Sequence, residues 1–456
     1  MTAPSSQRRG SAGRKPRVRT AGARGAAAGR SPARPVGAPA AADRRTEPAG
    51  PVAGGTPPGR GAARLWGLLD GEGGTSQSSY YMILGSAVAL TLIGLLMVLS
   101  SSSVEAISRA SSSYGLFVRQ GLFALAGLAM MFGMSRLPVR FLRKLAWPGL
   151  FTALLLLAAV AFTPLGKTVG GNTNWIVIGS FQGQPSEAAK LALAIWAAQI
   201  LAVKGSAVLQ TSHAIIPIVF PGGAAVIGLV LYGRDMGTAL VLGLILMATL
   251  FLAGVRLRLF GIAAALGGAG ALALLLFSGN RLGRINAWLN IDCESNAACY
   301  QPTQGIYALA SGGWWGVGLG QSRQKWNYIP EAQNDFIVAV IGEELGLVGV
   351  LVIVVLFALL AVAMYRVAVR SGDVFVRVAT GGIMAWLLGQ AFVNIGMVTG
   401  LLPVIGIPLP FISYGGTALT LSLVAVGVVL SFARAQAKAE REAAADGTDP
   451  QEAHTA

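Results

Sequence analysis

Ten apolar runs, each about as long as the hydrocarbon core of a bilayer is thick, succeed one another along this chain. They cover residues 82–99, 116–134, 145–163, 187–203, 214–231, 237–254, 259–277, 336–364, 378–399 and 418–433. A lone segment in lipid can satisfy its own backbone only as a helix. The pattern therefore predicts an all-α polytopic membrane protein of ten transmembrane helices. The eighth run is long enough to tilt or to project beyond the core. Prolines fall mostly at the boundaries of the runs (Pro138, Pro164, Pro185, Pro330, Pro403, Pro408, Pro410), where a helix starts or stops without losing an internal bond. Only 12% of the 456 residues are charged, about half the usual share in a soluble domain.

The net charge of +16 invites a nucleic-acid partner, but its distribution argues against one. Residues 1–79 hold 13 of the 35 Lys and Arg and only 4 of the 19 Asp and Glu. This stretch (Arg8-Arg9, Arg14-Lys15, Arg17, Arg19, Arg44-Arg45) is rich in Ala, Gly, Pro and Ser and lacks the pattern of a signal peptide. It has too little apolar surface to offset the entropy of ordering, and is expected to be a disordered basic tail. A topology determinant at lipid headgroups and a docking arm for another macromolecule both fit it. With that tail cytoplasmic, the short inner loops 135–144, 204–213, 255–258 and 365–377 carry ten Lys and Arg. The short outer loops 100–115, 164–186, 232–236 and 400–417 carry three. Both termini are therefore expected inside. The membrane domain is 80–434, followed by a polar tail over 435–456.

This orientation puts the longest connection, 278–335, outside. Its Trp288, Trp314, Trp315, Trp326, Tyr300, Tyr307 and Tyr328 are residues a disordered linker would lack. It is expected to fold against the membrane surface. Cys293 and Cys299 lie in it, on the oxidising side, and are expected to pair rather than stay as free thiols.

Charges at membrane depth are functional hypotheses by default. Glu187 and Lys190 open the fourth run at i,i+3 spacing, Arg119 lies in the second, and Asp235 precedes the sixth. Asp335 stands at the mouth of the eighth run, with Glu343 and Glu344 about two turns inside. One outward-facing polar cavity accounts for them together. An internal ion pair is the competing account of any one alone. Carboxylates can act as base or hold a divalent cation, and Arg and Lys can hold phosphate. No phosphate-binding Gly-Lys loop occurs, and the histidines, His213 and His454, fall on the inner side. A carboxylate is thus the candidate for proton transfer.

The segment Tyr328-Ile329-Pro330-Glu331-Ala332-Gln333-Asn334-Asp335-Phe336-Ile337, continuing through Gly342-Glu343-Glu344-Leu345-Gly346, resembles the signature of the SEDS proteins (shape, elongation, division, sporulation). Three more stretches agree in order: Gln184–Leu191, Gly318–Gly320 with Gln324-Lys325, and Leu402–Gly416 with its Pro408-Leu409-Pro410-Phe411-Ile412-Ser413-Tyr414-Gly415-Gly416. Ser100–Val104 with Glu105, then Arg119-Gln120, resembles the actinobacterial division branch, and the long basic N-tail points the same way.

The resemblance implies a peptidoglycan glycan-strand polymerase acting on lipid II at the septum of the cell membrane. It also implies an FtsI-like class B penicillin-binding transpeptidase as partner, and other division proteins reached through the tails. By motif it makes Asp335 the catalytic acidic residue, as general base or metal ligand. The expected substrate-binding set is Glu331, Lys190, Glu187, Arg119, Asp235, Arg234, Lys325 and Ser413. A divalent cation, Mg²⁺ or Mn²⁺, is expected to assist.

Four positions depart from the family pattern: Arg234 replaces a proline, Thr417-Ala418 replaces two serines, and Asn174 replaces an arginine. If that arginine helps hold pyrophosphate, another cation must act here, and Arg234 is the candidate. The competing functions are a lipid II flippase, an elongation-type polymerase and a noncatalytic scaffold.

Overall fold

The computed structural model describes residues 75–108, 114–169, 171–179, 181–276, 279–291, 293, 297–326, 329 and 332–446. The expected disordered tail up to residue 74, Tyr328, Pro330 and Glu331 lie outside the described residues, as does the chain beyond 446; the last residues expected in that tail, from Ser76, instead open the first helix.

The elements follow the apolar pattern. In chain order they are α1 (Ser76–Ser108), α2 (Gly115–Arg136), the short α3 (Val139–Lys144) and α4 (Ala146–Phe162). Three strands follow, β1 (Gly166–Val169), β2 (Asn172–Ile178) and β3 (Phe181–Gly183), then α5 (Pro185–Lys204), α6 (Thr211–Ile215), α7 (Ala224–Tyr232) and α8 (Met236–Leu252). The remainder are α9 (Leu257–Leu276), α10 (Gly279–Trp288), α11 (Tyr300–Gly312), α12 (Ile337–Arg370), α13 (Val374–Val398) and α14 (Gly416–Asp446). Among the described residues six helices, α1, α2, α5, α12, α13 and α14, are long and apolar enough to cross a membrane. Shorter apolar helices lie at Ala146–Phe162, Ile218–Tyr232, Met236–Leu252 and Leu257–Gly270.

Three features differ from the sequence expectation. The fifth run, 214–231, is not one helix. Pro217 and Pro221 each lack a backbone N–H, Phe220 between them is non-helical (φ −132°, ψ 127°), and regular helix resumes only at Ala224. The connection 164–186 is not a plain loop but an antiparallel sheet, ordered β1-β2-β3. Its central strand, Asn-Thr-Asn-Trp-Ile-Val-Ile, is rich in the β-branched and aromatic residues that suit a pleated surface. Lys167 pairs with Trp175, and Ile176 with both Gly166 and Gly183. Finally, the eighth run is broken. Gly346 adopts φ +68°, ψ −168° inside α12, a conformation close to glycine's own preserve.

The core forms where α14 packs on α2, α12 on α1, and α13 on α5 and α8. Trp196, Trp386, Phe336, Phe375, Phe411 and Phe432 are its large enclosed side chains. In lipid such contacts are held by close packing and by polar bonds between helices rather than by water exclusion. By contrast α9 stands apart: residues 261–270 are exposed throughout, while Leu259 and Phe260 at its start reach the core. At the opposite end of the bundle from the sheet, Glu440 of α14 accepts the Ser76 amide at 3.0 Å and so caps the first turn of α1.

Candidate active site

The segment 402–415, between α13 and α14, is where α2, α13 and the turn before α12 meet. Its proline-rich sequence cannot continue a helix, so its carbonyls are open to side-chain donors. Gln390 donates to the Pro408 carbonyl at 2.8 Å, and Asn394, one turn further along α13, to the Ile407 carbonyl at 2.6 Å. Gln120 of α2 donates to the Ser413 carbonyl at 3.3 Å and accepts the Gly415 amide at 3.2 Å. Thr417 accepts the Gln184 amide at 3.3 Å, which ties in the start of α5.

Asp335 is held against this segment by its main chain. Asn394, fully enclosed, donates a second bond to the Asp335 carbonyl at 2.9 Å. Ser413 donates to the Asn334 carbonyl at 2.6 Å while accepting the Leu409 amide at 2.8 Å. The Tyr414 amide donates to the Gln333 carbonyl at 2.9 Å. These bonds fix the turn before α12 and leave the Asp335 side chain half-buried. Its Oδ2 lies where a Cβ on Gly406 would come within 3.2 Å, and Gly406 has φ +79°. Glycine at 406 thus leaves room beside the carboxylate.

Several of the other charges are engaged in local clusters. Glu187 and Lys190 form a buried ion pair at 2.8 Å. Lys190 also donates to Gln390 at 2.9 Å and sits 4.9 Å from the Trp386 ring centroid. Asp235 caps α8, accepting from the Thr238 amide and hydroxyl at 2.9 and 2.8 Å. It also accepts from Asn174 at 2.8 Å and Gln184 at 3.2 Å, which joins the sheet to α5 and α8. Arg234 next to it is exposed, with φ +64°. Arg119 is half-buried and immediately precedes Gln120, so α2 delivers it to the same end as the Asp335 turn.

Glu343 and Glu344 serve the break in α12. A broken helix in lipid needs its freed backbone groups satisfied, at several kcal/mol for each left open. The connection after α11 does this: Val317 and Gly318 donate to the Glu343 and Glu344 carbonyls, while Leu347 donates to Gly313. The Glu343 carboxylate accepts the Ser322 hydroxyl and the amides of Arg323 and Gln324. Lys325 pairs with Glu344 at 2.9 Å, and Ser100 of α1 donates to the same carboxylate at 2.7 Å. Lys325 is 6% exposed and Glu344 1%, so this pair is enclosed.

In the outer connection, Cys293 and Cys299 form a disulfide with Cα atoms 5.5 Å apart. Sequence reasoning passed over Asn394 and Gln390, and used Ser100 only for the resemblance to one branch of the family. The signal for the first two was present: two amides at i,i+4 on one face of an apolar helix, which a search for charges does not detect.

The arrangement defines a polytopic helical membrane protein with one half-buried carboxylate presented on a clamped turn. The FtsW/RodA/SpoVE profile, described as a cell cycle protein, matches residues 80–438. The chain belongs to that family. It is 39% identical over 366 residues to a Mycobacterium tuberculosis protein named "Probable peptidoglycan glycosyltransferase FtsW", covering 80% of this chain and 70% of that one. Among solved structures it resembles the rod shape determining protein RodA of Thermus thermophilus, at TM-score 0.57 and 28% identity, covering 77% of this chain and 95% of RodA. It also resembles a chain from a peptidoglycan synthase complex in which polymerization and crosslinking are coordinated, at TM-score 0.58 and 26% identity over 78% of this chain and 97% of that one.

Proposed function

We infer that this chain is a peptidoglycan glycosyltransferase that polymerises glycan strands from lipid II during cell division. The observation that carries the reading is Asp335. Its main chain is locked by Asn394 and Ser413, while Glu187, Glu343 and Glu344 are enclosed in polar clusters. Ten crossings with both termini inside put Asp335 at the outer water–lipid boundary, as the balance of Lys and Arg across the loops requires.

The donor is the growing glycan on undecaprenyl pyrophosphate, and the acceptor is a sugar hydroxyl of lipid II. The hydroxyl oxygen attacks the anomeric carbon from the face opposite the pyrophosphate. A new C–O bond forms, the bond to the pyrophosphate oxygen breaks, and that electron pair leaves with the lipid phosphate. An α-linked donor becomes a β-linked product in one inverting displacement. Asp335 takes the hydroxyl proton, a role worth about 10²–10⁴ in rate. Arg119, which the fold brings toward the Asp335 turn, and exposed Arg234 supply positive charge for the departing pyrophosphate. Lys190, Glu187, Asp235, Lys325 and Ser413 hold the framework that presents these groups.

Among the described residues no three His, Cys, Asp or Glu side chains converge as a ready-made cation cage. Asp335 with substrate phosphate and water nonetheless fits Mg²⁺ or Mn²⁺, since magnesium is commonly held by one or two carboxylates plus phosphate. Such an ion would supply charge neutralisation at the pyrophosphate. The likeness to a chain of a peptidoglycan synthase complex supports a class B penicillin-binding transpeptidase as the partner; the septum as the place of action follows from the division reading itself.

Purified protein supplied with lipid II, with and without that transpeptidase, should make glycan polymer, and Asp335→Asn should insert normally and make none. Full polymerisation by Asp335→Asn would overturn the assignment. Lipid II translocation without product would favour a flippase, and neither activity would favour a scaffold.

A further inference from the structure

A recess of about 110 Å³ lies in the outer connection, between α10, α11 and the chain that leaves α13. Its walls are fixed. Trp288 donates from Nε1 to the Gly400 carbonyl at 2.9 Å, and the Cys293–Cys299 disulfide closes the short link between α10 and α11. Arg284, Asn290 and Thr303 give it a polar rim, while Ile306 and Leu402 give it an apolar floor. None of these residues takes part in the clusters around Asp335, Asp235 or Glu343.

Arg284 is the cation of the rim. It is exposed, and among the described residues its guanidinium has one long contact, 3.4 Å to the Val404 carbonyl. A guanidinium has five N–H donors in a planar fork suited to a carboxylate, and Arg284 brings that fork to the lining of the recess. A fork beside a small apolar floor matches a carboxylate that carries a short aliphatic side chain. The volume is enough for one small residue. The recess is also close to the reacting end. Val404 is two residues from Gly406, at most about 7 Å of extended chain, and Gly406 lies against the Asp335 carboxylate.

We propose that this recess binds the C-terminal carboxylate and last small residue of the peptide borne by the glycan substrate, with Arg284 as the carboxylate ligand. The proposal rests on the polymerase reading. It makes the peptide, which takes no part in the glycosyl transfer, a second handle that orients the sugar at Asp335.

The test compares three lipid-linked disaccharide substrates: intact pentapeptide, pentapeptide amidated at its C-terminus, and peptide trimmed of its last two residues. Wild-type protein should lose about tenfold in kcat/KM on amidation or trimming, mostly through KM, as removal of one charge-assisted bond predicts. Arg284→Gln should lose a similar factor on the intact substrate and treat all three alike. Arg284→Lys should restore part of the preference, and Thr303→Val should weaken it less than Arg284→Gln does. If the wild type polymerises all three equally, or Arg284→Gln keeps the full preference, the recess is not a peptide site. If the wild type makes no polymer from any of them, the polymerase reading itself fails and takes this one with it.

Discussion

Asp335 and the Glu343–Glu344 pair lie fewer than ten residues apart around the start of one helix, yet their surroundings differ in kind. At Glu343 and Glu344, hydroxyls, amides and Lys325 converge on the carboxylate oxygens, and both side chains are enclosed. At Asp335, Asn394 holds the main-chain carbonyl and the side chain is half-buried beside a glycine. Acidity at membrane depth is therefore a poor guide to chemistry. What separates them here is enclosure: Glu343 and Glu344 are buried, whereas Asp335 is half-buried on a turn held by its main chain.

The comparison can be broken most decisively at its two ends. Asp335→Asn should abolish polymer formation from lipid II, a loss of at least about 10²-fold, with the melting temperature in detergent unchanged. Glu343→Gln should do the reverse, lowering thermal stability while leaving measurable polymerisation in whatever protein folds. An Asp335→Asn protein that melts early but works would invert the two assignments.

The next largest effect belongs to the enclosed pair. Lys325→Met leaves Glu344 buried without its cation, which costs about 3–5 kcal/mol. Adding Glu344→Gln to Lys325→Met should recover much of that loss, as read from thermal unfolding of the single and double variants. Stability that does not recover would mean that Lys325 serves something besides Glu344.

A smaller effect sharpens the Asp335 side. Asn394→Ala leaves the Asp335 and Ile407 carbonyls without their donor, about 1–3 kcal/mol. The clamp predicts that the loss falls on kcat, up to about a hundredfold, with KM for lipid II little changed. A purely structural residue would lower the yield of folded protein and leave kcat alone. Smallest is Gly406→Ala, where a side chain at φ +79° costs about 1–2 kcal/mol. It should slow turnover modestly through crowding of Asp335 rather than through misfolding, and its melting curve tests that.

How much of this was legible beforehand follows from the physics of each feature. Apolar runs report on lipid directly, so the six long helices among the described residues lie on runs that hydropathy picked out. The breaks were harder. Pro217 and Pro221 fall inside an apolar run that otherwise reads as continuous, and Gly346 is one glycine among 61. Its left-handed backbone is set by the connection packed against it, not by its neighbours in sequence. The sheet at 166–183 was hidden because it is short and half exposed, though the run Trp175-Ile176-Val177-Ile178 carried the β signal. Asp335 and its supporting segment were legible through motif. The fate of Lys190 and Lys325 was not, because pairing with Glu187 was one of two open accounts and Glu344 lies 19 residues from Lys325.

The bond from Glu440 to Ser76 has a consequence at the far end of the molecule. A helix of the length of α14 extends about 46 Å at 1.5 Å per residue, well beyond the roughly 30 Å of hydrocarbon, and it is this overhang that meets the first turn of α1. A change at Glu440 therefore acts on α1 as well as on α14, because it uncaps a helix that begins 364 residues away in sequence.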